Sequence, residues 1–194
     1  MIEQQFIEEK TFERKDYSET QLEKGDYELC TFSNCNFSNS DLSKIRFIAC
    51  EFYDCNISSV NLHETGFQEV IFKNCKMLGL NFEKCNDFAF SIKVENCQLN
   101  HSIFYKHKLS KTLFVKSKLQ EVDFTDCDLN SSVFDDCDLL NTIFDNTDLR
   151  NADFRNSYNF TIDPEINRIK GAKFTLETVV GLLNKYNIKI EPNH

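Results

Sequence analysis

The chain has 194 residues, of which 41% are hydrophobic and 27% are charged, and its formal net charge is −9. This length suits a single domain, and the apolar content excludes an unfolded acidic tail. The N-terminus is acidic and lacks the apolar core of a signal peptide, and no window approaches the roughly 18 apolar residues of a membrane span. We therefore expect a cytoplasmic protein that does not enter a membrane.

Residues 1–11 follow no clear pattern and are expected to cap the N-terminal end of the domain. From Phe12 onward, large apolar residues recur every five positions, a period that fits neither a helix nor a strand. We call these residues the centres of five-residue units. The first run of centres is Phe12, Tyr17, Leu22, Tyr27, Phe32, Phe37, Leu42, Phe47, Phe52, Ile57, Leu62, Phe67, Phe72, Met77 and Phe82, and the second is Leu99, Phe104, Leu109, Phe114, Leu119, Phe124, Leu129, Phe134, Leu139, Phe144, Leu149 and Phe154.

Two residues before most centres the side chain is small, which predicts a second inward-facing position. Eight of the nine cysteines occupy it, namely Cys30, Cys35, Cys50, Cys55, Cys75, Cys97, Cys127 and Cys137. Free cysteine behaves as a small hydrophobic residue, and a spacing of five does not match a zinc site. We expect buried, reduced thiols and no bound metal, with the placement of Cys85 left open.

The two runs are separated by two residues more than complete units would need. The simplest repair places the intervening centres at Phe88 and Val94, with a bulge near residues 83–96. The small position before Leu109 then holds His107, whose bulky polar ring leaves its placement open.

The units read A-[DN]-[LF]-x-x, as in CDLLN, TDLRN and ADFRN, and this pattern resembles the pentapeptide-repeat family. The resemblance implies an all-β fold, a right-handed quadrilateral β-helix with four units per coil. Centres and small residues would point inward, because one unit can bury its apolar side chain only by stacking on the next coil. We expect a solenoid over residues 12–157 with about seven to eight coils.

Residues 158–194 depart from the repeat and are expected to cap the C-terminal end. Thr175 is a candidate N-cap, and the apolar residues after it have helical spacing. This predicts an α-helix over about residues 175–186. Its apolar face would either cap the last coil or form a homodimer, as in the quinolone-resistance members of the family; the candidate interface residues are Leu176, Val179, Val180, Leu183 and Tyr186.

Charge is banded along the chain. Acidic residues concentrate late in the repeat, and the candidate partner surface is Asp123, Asp126, Asp128, Asp135, Asp136, Asp138, Asp145 and Asp148. A basic belt precedes it, formed by Lys93, Lys106, Lys108, Lys111, Lys116 and Lys118. Acidic surface repels nucleic acid but suits a basic protein groove, so we expect a protein partner and no direct nucleic-acid binding.

No histidine, cysteine or carboxylate constellation for catalysis assembles in this register, and the five glycines form no phosphate loop. We therefore expect a non-enzymatic interaction scaffold without cofactors, whose cytoplasmic partner is unknown. The alternative also rests on the resemblance: quinolone-resistance members are acidic, dimeric rods proposed to mimic DNA in the groove of type II topoisomerases such as DNA gyrase. This chain departs from them in having no clear projecting loop and in its basic belt.

Overall fold

The structure, a computed structural model, describes residues 5–191. Residues 1–4 of the expected N-terminal cap and residues 192–194 of the expected C-terminal cap lie outside the described residues. The strands in this range are β1 (Gln5–Glu8), β2 (Thr11–Glu13), β3 (Gly25–Glu28), β4 (Thr31–Ser33), β5 (Arg46–Ile48), β6 (Glu51–Tyr53), β7 (Gly66–Gln68), β8 (Val70–Lys73), β9 (Ile92–Glu95), β10 (Leu113–Val115) and β11 (Val133–Asp135). Short 3₁₀ turns cover Phe82–Lys84, Val179–Leu182 and Asn184–Tyr186.

All strand pairs are parallel, and each strand pairs with the strand one coil later. Phe12 pairs with Phe32, and Phe32 pairs with Phe52, so one coil contains 20 residues. One sheet contains seven strands in the order β2, β4, β6, β8, β9, β10, β11, and the other contains β1, β3, β5 and β7. The predicted right-handed quadrilateral β-helix is confirmed, and it has about seven coils, the lower end of the expected seven to eight.

We number the four faces of the solenoid by their centres. Face 1 begins at Phe12, face 2 at Tyr17, face 3 at Leu22 and face 4 at Tyr27, and each continues in later coils. The seven strands β2, β4, β6, β8, β9, β10 and β11 form face 1. Faces 2 and 3 and the later coils of face 4 are joined by single parallel bridges.

The centres fill the interior of the solenoid. Phe32, Phe104, Phe114 and Leu119 are completely buried. On face 1 the rings of Phe114 and Phe134 stack with centroids 5.0 Å apart and planes 8° apart. Phe114 also meets Phe124, on the opposite face 3, edge to face with centroids 5.8 Å apart, so this ring makes both favoured aromatic contacts. Burial of each such side chain contributes about 1.5–3 kcal/mol to stability.

At most corners the chain turns two residues after a centre. That residue has a left-handed backbone, with φ of 54° at Asn34 and at Asp54 and 63° at Lys106. Glycine would adopt this conformation at no steric cost, yet the corner is glycine at only Gly79 and Gly171 among the described residues with positive φ. Asparagine and aspartate are the side chains that tolerate it best, which accounts for part of their abundance.

The extra residues between the two runs lie in one loop. Gly66 pairs with Asn86, but Val70 pairs with Ile92, so the two additional residues fall between these points. Val94 is a buried centre as predicted, whereas the prediction for Phe88 is wrong: its side chain is 72% exposed. Phe90 points inward instead. The two additional residues are accommodated together in one outward loop, and not as two separate one-residue shifts of the register.

Phe90 returns to the core beside the centres of its own coil and of the coil before it. Its ring meets those of Phe67 and Phe82 edge to face, with centroids 6.3 and 6.1 Å away. The predicted bulge near residues 83–96 is therefore a loop closed by its own aromatic residue.

The predicted α-helix over residues 175–186 is wrong. After one bond from the Val179 N–H to the Thr175 carbonyl, the remaining bonds span three residues, as from Leu183 to Val180. The Oγ1 of Thr175 accepts the Thr178 N–H at 3.2 Å, but this bond closes a turn before the first 3₁₀ turn, whose N-cap is Thr178. A β-branched and glycine-containing segment has low helix propensity, and it follows the end of the solenoid in 3₁₀ turns.

Gly181 fixes this segment against the last coil. A Cβ at position 181 would lie 2.4 Å from a ring carbon of Phe160, and the Gly181 carbonyl accepts the Ile162 N–H at 3.1 Å. The repeat register itself continues past residue 157, since Asp148 pairs with Arg168 and Asp153 with Lys173.

At the other end, β1 lies within the segment expected as a cap and pairs with β3 through Ile7 and Tyr27. Strand pairing thus begins before Phe12. Across residues 5–191, none of the helical segments has the length and apolar character needed to cross a bilayer.

Candidate partner-binding surface

The eight candidate aspartates do not share one face. The 20-residue coil places Asp123, Asp126 and Asp145 on face 3 or its corner, Asp128 and Asp148 on face 4, Asp135 and Asp136 on face 1 or its corner, and Asp138 on face 2. They form a band around the solenoid and not a row along it. A continuous row of carboxylates resembling the phosphates of one DNA strand is therefore not present among them.

Half of these carboxylates stabilise the backbone. The Oδ1 atoms of Asp123, Asp128, Asp138 and Asp148 each accept the backbone N–H two residues later, at 2.8, 3.0, 3.2 and 3.2 Å. This is an Asx turn, in which a short polar side chain replaces a backbone acceptor at a corner. Aspartate or asparagine directly before a centre therefore has a structural role that sequence reasoning missed.

Asp148 is the least available of the eight. Its carboxylate accepts three bonds from the guanidinium of Arg150, at 2.8, 3.1 and 2.6 Å, and lies 3.3 Å from Arg168. The hydrogen bonds from Arg150 hold the pKa of Asp148 below its ordinary value. The oxygens of Asp148 are occupied and its charge is offset by two arginines, so it is less available to a basic partner.

Lysines of the basic belt lie directly beside several of the aspartates. Lys108 is bridged to Asp128, and Lys118 to Asp138, one coil apart. The same register places Lys106 before Asp126 and Lys116 before Asp136. Because neighbouring coils are about 4.8 Å apart, each lysine reduces the potential of the adjacent carboxylate.

Three candidate carboxylates point freely outward. Asp126, Asp136 and Asp145 are exposed, and within residues 5–191 their carboxylates make no hydrogen bond or ion pair. They lie on different corners and faces. The sequence signal that separates them from the structural aspartates is their position: none directly precedes a centre.

The five candidate dimer residues are only partly brought together. Leu176 is 87% exposed, while Val179, Val180 and Leu183 are half-buried at the end of the solenoid. Tyr186 is 49% exposed, and its hydroxyl donates to Glu165 at 2.9 Å. Leu182, which helical spacing did not select, packs against the core.

The eight cysteines predicted to be inward are buried, and Cys85 is partly exposed. Their thiols donate to carbonyls of the coil before, as Cys127 does to Phe104 at 2.9 Å. Burial raises the pKa of Cys50, Cys127 and Cys137 to about 12. Within the part of the chain that the structure describes, no group of His, Cys, Asp and Glu is arranged to hold a metal ion.

His107 occupies the same column as Cys127 and makes the same bond. Its Nε2 donates to the Phe82 carbonyl at 2.6 Å, so the proton of the neutral ring lies on Nε2. Its Nδ1 is buried and has no hydrogen-bond partner among residues 5–191. Burial lowers the pKa of His107, since the charged ring would lose its hydration.

Comparisons with known proteins give one family and one fold. A family model described as a pentapeptide repeat region matches residues 26–93 and 90–158. Two trypsin-treated variants of QnrB1, a plasmid-mediated fluoroquinolone resistance protein, share the fold, with TM-scores of 0.63 and 0.64 and identities of 17% and 18%. Each comparison covers 97% of this chain and 98% of the QnrB1 chain. No curated protein matches the sequence significantly.

Proposed function

The chain belongs to the pentapeptide-repeat family, and from this premise we propose that it is a non-enzymatic scaffold that presents its outer faces to another protein. The observation that carries the proposal is the filled interior. Phe32, Phe72, Phe114 and Phe134 close the axis of the solenoid with exposures of 0–1%. A ligand pocket needs a concave cavity, and a solenoid packed along its axis leaves only its exterior for recognition.

The partner we propose is a cytoplasmic protein. All nine cysteines are free thiols, which is the state that a reducing compartment maintains. A net charge of −9 favours encounters with basic surfaces.

Site-specific photo-crosslinking tests the scaffold proposal. A photo-reactive amino acid is placed on each face in turn, at Lys108, Leu113, Lys118 or Asp123, each directly before a centre and therefore pointing outward. We expect a defined adduct from one or two faces in cells expressing the protein. The absence of adducts from all four faces would contradict the proposal.

A second candidate function is DNA-mimicking modulation of DNA gyrase or another type II topoisomerase, with protection against fluoroquinolones. It is favoured by the shared fold with QnrB1, described as a fluoroquinolone resistance protein, and by the acidic charge. The lysines beside the aspartates weigh against it. A supercoiling assay with and without a fluoroquinolone decides between the two functions: gyrase mimicry requires an effect at micromolar protein, and this effect should fall when Asp126, Asp136 and Asp145 become Asn.

We also propose that the C-terminal segment supports a homodimer. Leu176, Ile188 and Ile190 are 87%, 56% and 51% exposed, more than one expects for aliphatic residues of a closed surface. Light scattering with wild type and with Leu176→Glu tests this. A wild type that stays monomeric at all concentrations rules the dimer out.

A further inference from the structure

A groove of about 1000 Å³ lies at the C-terminal end of the solenoid, where faces 2 and 3 meet. Its floor is apolar and open to solvent. Leu140, Ile143, Tyr158 and Ile166 line it with exposures between 44% and 49%. Most outward positions of the solenoid are polar, so an aliphatic and aromatic cluster of this kind indicates a contact surface.

The groove is held in shape by bonds between the last coil and the C-terminal turns. Gly181 packs against Phe160 on one side. On the other side, Asn184 donates to Thr161 at 3.0 Å, and Lys185 contacts Asp163 at 2.7 Å. A preformed groove loses little conformational entropy when it binds, which favours recognition of an extended segment.

All charged residues that line the groove are acidic. They are Asp145, Asp163 and Glu177. Asp163 is paired with Lys185, whereas Asp145 and Glu177 make no ion pair within residues 5–191. Unlike Asp126 and Asp136, Asp145 has no lysine one coil earlier, because Thr125 occupies that position.

Resting on the scaffold function proposed above, we infer that this groove binds a partner segment in which leucine-like side chains alternate with lysine or arginine. The apolar side chains lie on the floor formed by Ile143 and Tyr158, and the basic side chains face Asp145 and Glu177. Burial of the apolar side chains supplies affinity, and the charges supply orientation and a faster encounter.

The probes are three labelled peptides of equal length, with alternating leucine and lysine, serine and lysine, or leucine and glutamate. Fluorescence anisotropy at physiological salt measures their binding to the full chain. We expect the leucine–lysine peptide to bind about tenfold or more tightly than either other peptide, since both apolar and charged contacts are needed. Equal binding of the serine–lysine peptide, or no binding of any peptide, overturns the inference.

Matched variants locate the binding. Ile143→Ser should weaken the leucine–lysine peptide about tenfold, whereas Leu113→Ser should not, although both positions directly precede a phenylalanine centre and are exposed. Asp145→Asn should weaken binding more than Asp126→Asn. Equal effects within either pair overturn the inference.

Two further readouts separate the occupants. If Ile143→Ser converts a dimer to a monomer in light scattering, a second copy covers the groove and the inference is wrong. If the photo-crosslinked partner adduct survives in Ile143→Ser, the scaffold function stands and only the assignment of the groove fails.

Discussion

Lys118 and Asp138 are bridge partners on face 2, one coil apart. Both residues belong to the same column of the solenoid, so opposite charges stand one coil apart. This pairing of a lysine with a later aspartate recurs on other faces. The acidic band and the basic belt are thus adjacent layers of one structure.

Reversal of one charge in this pair should destabilise the solenoid. Lys118→Glu places two carboxylates side by side, and we expect the free energy of unfolding to fall by about 0.5–1 kcal/mol at low salt. The loss should shrink at high salt, where the repulsion is screened. Urea denaturation at two salt concentrations measures it. Lys111→Glu is the matched control, since Ser131 occupies the position one coil later, and an equal salt-dependent loss there would contradict the pairing.

The loop between the two runs gives a contrast between two phenylalanines. Phe90→Ala removes a ring buried against Phe67 and Phe82, and we expect it to cost about 3–5 kcal/mol. Phe88→Ala removes an exposed ring and should change stability by less than about 0.5 kcal/mol. Chemical denaturation of both variants measures the difference. Comparable losses in the two variants would contradict the assignment of Phe90 to the core and Phe88 to the solvent.

The thiols should differ sharply in their reaction with a thiol reagent. The eight buried cysteines have low access, and the raised pKa of Cys50, Cys127 and Cys137 leaves little thiolate at neutral pH. Burial raises the pKa of the partly exposed Cys85 as well, so we expect at most this one thiol to react, and slowly, in the native protein, and all nine to react after denaturation. Mass spectrometry of the labelled chain counts them. Cys85→Ser should abolish the native reaction, and fast labelling of five or more thiols would refute the register.

His107 should make the solenoid sensitive to mild acid. Burial lowers its pKa in the folded chain, and this outweighs the opposite influence of the hydrogen bond to the Phe82 carbonyl and of Asp87 and Glu83. As pH falls past the ordinary histidine pKa of about 6.5, His107 therefore binds a proton in the unfolded chain but not yet in the folded chain. The stability that is present above that pH is lost as pH falls.

His107→Thr, which has the side chain found at Thr147 in the same column, tests this. Between about pH 7.5 and pH 5.5 the variant should lose less stability than wild type in urea denaturation. His63→Gln, at an exposed histidine, should behave as wild type. Parallel losses in wild type and His107→Thr would show that carboxylates alone set the acid response.

The fold follows from the sequence because its main signal is periodic and local. Each centre repeats the same apolar requirement, so Phe114 and Phe134 could be placed in one column by counting residues. The stacking of Lys118 on Asp138 was available from the same count, since both follow the 20-residue coil. The five-residue period does not predict the backbone path of residues that depart from it.

Three features depend on contacts between distant residues. Either Phe88 or Phe90 could have turned inward by composition, and the ring contacts of Phe90 with Phe67 and Phe82 decide for Phe90. The apolar spacing after Thr175 suits a helix, but the contact of Gly181 with Phe160 fixes 3₁₀ turns. The groove at Ile143 and Tyr158 combines residues from separate units, so no local sequence pattern predicts it.

The loop around Phe88 also bears on how such a chain can change in length. An insertion of two residues forms an outward loop. If the insertion stayed within the coil, every later side chain would move out of its place in the register. An insertion of one whole coil would shift nothing and would lengthen the rod by about 4.8 Å. Duplication of coil-encoding segments can therefore change the length of the solenoid only in steps of one coil. The distance between its two ends is then set by a whole number of coils.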